Sequence, residues 1–191
     1  MSIMTQVVKK SAEIFLNDLP KKYRERYYGQ ILCPNLDGRF CMSNGNAMYV
    51  GCQIPNIPEL EQEMTKMFEP LARKCATESI YRDVKDRIVM DINDVRAAIA
   101  RKQNEDHNAG RSYRRHSVCY MMTTPKGNQI AFDCERMITD YKLLGGKDVT
   151  ISLPDDANGI ARFKGPNGVI FQCPIMIKQK RKEKESAVKG G

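Results

Sequence analysis

Residues 149–177 read VTISLPDDANGIARFKGPNGVIFQCPIMI, and the fold class turns on how this stretch is read. Val149, Ile151 and Leu153 alternate with Thr150 and Ser152, the period-two pattern of a strand with one buried face. Asp156-Ala157-Asn158-Gly159 and Gly165-Pro166-Asn167-Gly168 carry the residue types that tight hairpin turns need. The stretch therefore predicts a three-strand antiparallel meander over 149–153, 160–164 and 169–177. Pro174 has no amide hydrogen to give to a ladder, so the last strand is expected to lie at an edge or to bulge there.

Working upstream, Asp133 is placed to cap a helix over 133–144, with Met137, Ile138, Tyr141 and Leu144 as its buried stripe and Gly145-Gly146 as its stop. Residues 118–122 and 129–132 read as two strands joined through Pro125-Lys126-Gly127-Asn128. Before them, 87–92 reads as a strand. Asn93 is expected to cap a short helix over 93–102 with Val95, Ala98 and Ile99 facing inward. The polar run 103–116 has no apolar period and reads as a long exposed loop.

The first part of the chain is less regular. Val8, Ser11, Ala12, Phe15 and Leu19 fall on one side of a helix over 5–19 that Thr5 could cap and Pro20 ends. Residues 21–28, KKYRERYY, interleave cations with tyrosines. Such a run can stack on bases and grip phosphates, but a solvated face with the tyrosines packed down is the simpler reading. Residues 39–42 and 47–50 are expected to pair around Ser43-Asn44-Gly45-Asn46. Pro58 suits the first turn of a helix in which Leu60, Met64, Met67, Phe68 and Leu71 recur at helical spacing, to be kinked or ended by Pro70.

Composition bounds the function. The chain has 191 residues, a formal net charge of +8 and 41% hydrophobic residues, enough for a core and a basic surface that attracts polyanions. Its seven cysteines stand singly, without zinc-site or redox spacing, as small buried hydrophobes of a reducing compartment do. No run approaches the ~20 apolar residues that span a bilayer. The segment around Ile14-Phe15-Leu16 is too short and too polar for a secretion signal. These features lead to the expectation of a cytoplasmic protein without membrane contact.

The order strand, helix, loop, hairpin, helix, meander resembles one domain of the bacterial DNA polymerase sliding clamp, the beta subunit. The residues that carry the likeness are Ile88-Val89-Met90-Asp91-Ile92-Asn93-Asp94-Val95, Asn128-Gln129-Ile130-Ala131-Phe132 with Tyr141-Lys142-Leu143-Leu144, and Gly168-Val169-Ile170-Phe171-Gln172-Cys173-Pro174-Ile175-Met176-Ile177. A further echo lies in 38–46, where the clamps' Thr-Asp-Gly-His-Arg segment has Asn44 for the Asp and Asn46-Ala47 for the His-Arg. The expected fold class is α+β, an antiparallel sheet with two helices packed on one face and an N-terminal α/β extension. Its expected parts are 1–84 with helices and a hairpin, 85–177 as the clamp-like domain, and 178–191 as a basic tail. A clamp subunit has three such domains and this length holds one complete copy, so a ring would need a homo-oligomer.

The resemblance implies a non-catalytic DNA tether or processivity factor of DNA replication, whose partners are DNA and replication or repair proteins. Helices of a clamp present cations to phosphates without reading bases, which makes Arg96, Arg101, Lys102, Arg136 and Lys142 the candidate DNA contacts, joined by Arg111, Arg114 and Arg115 of the polar run. Clamps also take peptides in an apolar pocket beside the closing strand, the position here of Pro174, Ile175, Met176 and Ile177. Two alternatives stand beside this one: an adaptor or inhibitor that keeps the fold without a ring, and a metal-dependent nucleic-acid enzyme using Asp83, Asp86, Asp91 and Asp94. The spacing of those carboxylates fits no dedicated site, and His107 and His116 lie in no nucleophile or metal motif. No catalytic residue, metal or cofactor is therefore expected.

Overall fold

A computed structural model describes residues 3–18, 31–32, 40–44, 46–51 and 87–175. The expected helix after Pro58, the 21–28 run and the tail after 177 lie outside them. In chain order the described elements are α1 (Ile3–Asn17), β1 (Ile31–Leu32), β2 (Phe40–Ser43), β3 (Ala47–Gly51), β4 (Arg87–Val89), α2 (Ile92–Asn108), β5 (Cys119–Thr123), β6 (Gln129–Asp133), α3 (Cys134–Leu143), β7 (Thr150–Ser152), β8 (Ala161–Gly165) and β9 (Gly168–Gln172). The fold is α+β, as the period-two and helical patterns require.

Seven strands form one antiparallel sheet in the order β1-β2-β3-β9-β8-β7-β4. The seam is the β3–β9 pairing, with Tyr49 opposite Ile170 and Gly51 opposite Gly168. To one side of it run β2 and β1, to the other β8 and β7, so the sheet is built from two like halves: α1-β1-β2-β3 and α3-β7-β8-β9. The pairing crosses the boundary expected near residue 85 and places the N-terminal hairpin and the C-terminal meander in a single sheet. β5 and β6 form a separate two-stranded ribbon. It is held to the main sheet by an edge-on contact of Phe132 with Phe163, whose ring centroids are 5.4 Å apart.

Alternation along the strands decides what meets the helices. Tyr49, Ile170, Phe163 and Ile151 stand directly opposite one another across the strands, and all four join the main core cluster. From the helices come Val8, Ala12 and Phe15 of α1, Ile92 and Val95 of α2, and Cys134, Met137 and Leu143 of α3. α3 packs between α1 and α2. Burying each large side chain contributes about 1.5–3 kcal/mol, so this layer supplies the main stabilisation.

Three boundaries differ from the sequence expectation. Asp91, not Asn93, caps α2, its carboxylate accepting from the Asn93 amide at 2.8 Å. α2 then runs to Asn108, so the first half of the expected 103–116 loop is helix. Extending a nucleated helix costs little even without an apolar stripe, and a Lys102–Asp106 ion pair at i, i+4 and 2.8 Å supports the added turns. Finally, β9 is not an edge strand. It lies between β3 and β8 and stops at Gln172, before Pro174 would interrupt its ladder. Ile175 then bonds to β6 through its amide and the Ala131 carbonyl, at 2.8 Å. Asp133 caps α3 as expected, accepting from Glu135 and Arg136 amides, and Gly145 and Gly146 follow its end with positive φ of 112° and 70°. No helix among the described residues is long and apolar enough to cross a membrane.

Candidate nucleic-acid interface

α2 turns a polar face outward because Ile92, Val95, Ala98 and Ile99 are on the core side. Arg96, Ala97, Ala100 and Arg101 make up much of the exposed face. Neither arginine makes an ion pair among the described residues. Alanines between the guanidinium groups leave room for a broad polyanion to approach. From Ile92 to Ser117 six arginines and lysines stand against three acids, which leaves +3 on this segment.

The remaining candidates sort by whether a carboxylate already holds them. Lys102 and Arg111 converge on Asp106 Oδ1, at 2.8 and 3.3 Å. The Lys102 hydrogen bond, together with the charges of Lys102, Arg111 and Arg114, keeps the Asp106 carboxyl below the usual carboxylate range. Three cations around one buried acid still leave net positive charge at this end of α2. Arg114 is exposed and makes no ion pair of its own among the described residues. Arg115 donates from Nε to Glu135 Oε2 at 3.1 Å and stays 71% exposed. Lys142 is exposed near the end of α3. Arg136 is different, because its Nε is bound to Asp18 at 2.5 Å and the side chain is only 21% exposed. It joins the end of α1 to α3 and contributes structure rather than a free charge.

The turn after α2 joins a cluster that no spacing in the chain foretells. His116 Nδ1 stands 2.9 Å from Asp133 Oδ2 and its Nε2 3.3 Å from Asp18 Oδ1. Glu135 accepts from the Tyr113 hydroxyl at 2.9 Å and from the His116 amide at 3.2 Å. Burial and the Glu135 carboxylate push the Tyr113 hydroxyl up to about 12, so it remains a donor. Deeper in, Asp140 is fully buried on α3, and its Oδ2 has no hydrogen-bond partner among the described residues. Burial drives this carboxyl well above the usual range, with Asp18 and Asp133 adding to the rise and Arg136 opposing it. Cys134 is buried next to its cap, and burial and the Asp133 charge push its thiol up to about 11, which leaves it unreactive.

The other sequence candidates separate. Pro174 and Ile175 are half-buried where the chain crosses from β9 to β6, while Met176 and Ile177 lie outside the described residues. Of the four aspartates weighed for a metal, Asp91 is the cap of α2, Asp94 is exposed in its first turn, and Asp83 and Asp86 lie outside the described residues. Among the described residues no group of three or more His, Cys, Asp or Glu is placed to hold a metal ion. Compared with models of known protein families and with curated proteins, the chain matches none.

Proposed function

We propose that this protein is a non-catalytic, clamp-like DNA-binding tether that holds duplex phosphates electrostatically on the outward face of α2 and the turn that follows it. The observation that carries the reading is the placement of Arg96 and Arg101, which are exposed on α2 and make no ion pair among the described residues, with the exposed Arg114 on the turn beyond the helix. The α+β architecture, with its helices layered on an antiparallel sheet, supports the reading. The net charge of +8 supplies long-range attraction to the same polyanion. Contacts of this kind fix position on the backbone and carry no sequence information.

The test is fluorescence anisotropy with a labelled duplex of arbitrary sequence at about 50 mM salt. Wild-type protein is expected to bind several unrelated duplexes with similar affinity. The Arg96→Glu/Arg101→Glu variant is expected to bind at least about tenfold more weakly. Absence of wild-type binding, or equal binding by the variant, contradicts the reading.

One observation favours the adaptor alternative through self-association. Among the described residues β4 ends the sheet, with all three of its residues exposed, Val89 at 73%, and pairs only with β7. Such an edge can accept a strand from a second copy. Light scattering after size exclusion separates the cases: an oligomer without DNA affinity supports the adaptor, and a monomer that binds DNA rules out encirclement.

A further inference from the structure

We propose that Glu135 is a positioning residue for the DNA contact: its carboxylate gathers the turn 110–117 so that Arg114 meets a phosphate from a backbone already in place. The inference rests on the DNA reading above and adds the device that readies the turn for it. Of the four consecutive residues 113–116, three donate to this one carboxylate. The Tyr113 hydroxyl reaches Oε1 at 2.9 Å, and the Arg115 Nε and the His116 amide reach Oε2 at 3.1 and 3.2 Å. Arg114 is the fourth, and it is exposed.

Glu135 is itself fixed. It stands in the first turn of α3, where the helix dipole favours an acid, and its amide donates to the Asp133 cap at 2.9 Å. Its side chain is only 15% exposed, so the bonds it accepts are largely shielded from water. At its other end the turn is anchored on α2. Arg111 donates its amide to the Asp106 carbonyl at 2.7 Å, and its guanidinium lies 3.3 Å from Asp106 Oδ1. His116 keeps φ +60°, a conformation that a non-glycine residue holds when its surroundings fix it. The bond from its amide to Glu135 is one such tie.

The three arginines of the turn therefore differ in role. Arg111 and Arg115 each contact a carboxylate, while Arg114 lies between two residues that Glu135 holds. A loose turn would have to be ordered when DNA arrives, at an entropic cost that weakens binding. A turn ordered in the free protein has met that cost on folding. Charge alone makes the opposite demand. Glu135 is an acid beside a surface for phosphates, and it also occupies Arg115. By plain electrostatics its removal strengthens binding, and by loss of positioning its removal weakens binding. The sign of the effect separates the two.

The experiment joins duplex binding by fluorescence anisotropy at about 50 mM salt with backbone amide exchange of the full chain without DNA. Glu135→Ala is expected to bind about three- to tenfold more weakly than wild type although it removes a negative charge, and its 113–116 amides to exchange at least about tenfold faster. Glu135→Gln keeps one acceptor oxygen and offers an amide from which the Tyr113 hydroxyl can accept, so it should rescue both readings. Arg114→Ala should weaken binding and leave exchange unchanged. Adding Glu135→Ala to it should weaken binding no further, because the two residues act through one contact. Should Glu135→Ala fail to fold, Tyr113→Phe takes its place: it removes one of the three bonds without a change of charge and should move both readings in the same direction. Unchanged or tighter binding, or unchanged exchange, in the variant used overturns the proposal. If wild-type protein binds no duplex, the DNA reading fails, and faster exchange in Glu135→Ala then shows that the turn is positioned all the same.

Discussion

Asn44 and Asn167 hold the same post in the two halves of the sheet. Asn44 donates from its side-chain amide to the Phe15 carbonyl at the end of α1, at 2.9 Å, and accepts from the amides of Asn46 and Ala47. Asn167 donates from its side chain to the Leu143 carbonyl at the end of α3, at 3.3 Å, and from its backbone amide to the Leu144 carbonyl. Each hairpin thus satisfies carbonyls that its own helix leaves open. The sequence showed both residues as turn formers. It could not show the second role, because the Phe15 partner is 29 positions from Asn44. The same limit hid His116, whose ties to Asp133 and Asp18 are fixed by packing and follow no spacing rule. Asp140 makes a residue-scale prediction. Because its folded-state carboxyl is raised, the fold gains from protonating it, and that gain is lost as pH climbs through the folded-state value. Asp140→Asn removes the buried charge and should raise stability at pH 8 by on the order of 1–3 kcal/mol, the difference closing toward pH 4. Urea unfolding at the two pH values checks this, and equal destabilisation at both would contradict it.

Elements were legible where apolar periodicity exists and were missed where charge alone supports the structure. Val8, Ser11, Ala12 and Phe15 are buried along α1 as their spacing predicts. The cap and stop of α3 were readable from Asp133 and Gly145-Gly146. The last turns of α2 were not, since Gln103 to Asn108 offer no stripe and depend on the Lys102–Asp106 pair. The central place of β9 was also hidden. Pro174 was correctly a barrier to the ladder, but the strand ends before reaching it. β9 meets β3 where Gly168 faces Gly51, and this close approach needs glycine. Gly168 has φ +144°, and a Cβ there would collide with the Val50 carbonyl oxygen. A Cβ on Gly51 would land on the Tyr49 ring, whose hydroxyl bonds to the Asn167 carbonyl at 2.6 Å. Gly168→Ala is therefore expected to cost about 2–4 kcal/mol in chemical denaturation. A change near zero would mean that the seam yields more readily than described.

On the scale of the whole molecule, the β3–β9 seam joins segments more than a hundred residues apart and makes one sheet of two like halves. The α+β class and the hairpins at 40–51 and 161–172 were readable from local patterns, but their union was not, because no local signal states which strands meet. Charge is the property that belongs to the molecule as a whole. Of the cations behind the net +8, Arg136 is paired with Asp18 and Lys102 and Arg111 with Asp106, while Arg96, Arg101, Arg114 and Lys142 remain outward. The most direct test of this division is the salt dependence of duplex binding. If four outward cations each displace a phosphate counterion, a plot of log affinity against log salt should fall with a slope of about −3 to −4, and Arg96→Glu/Arg101→Glu should flatten it by about 2. A wild-type slope near zero, or one that the double substitution leaves unchanged, would contradict the account.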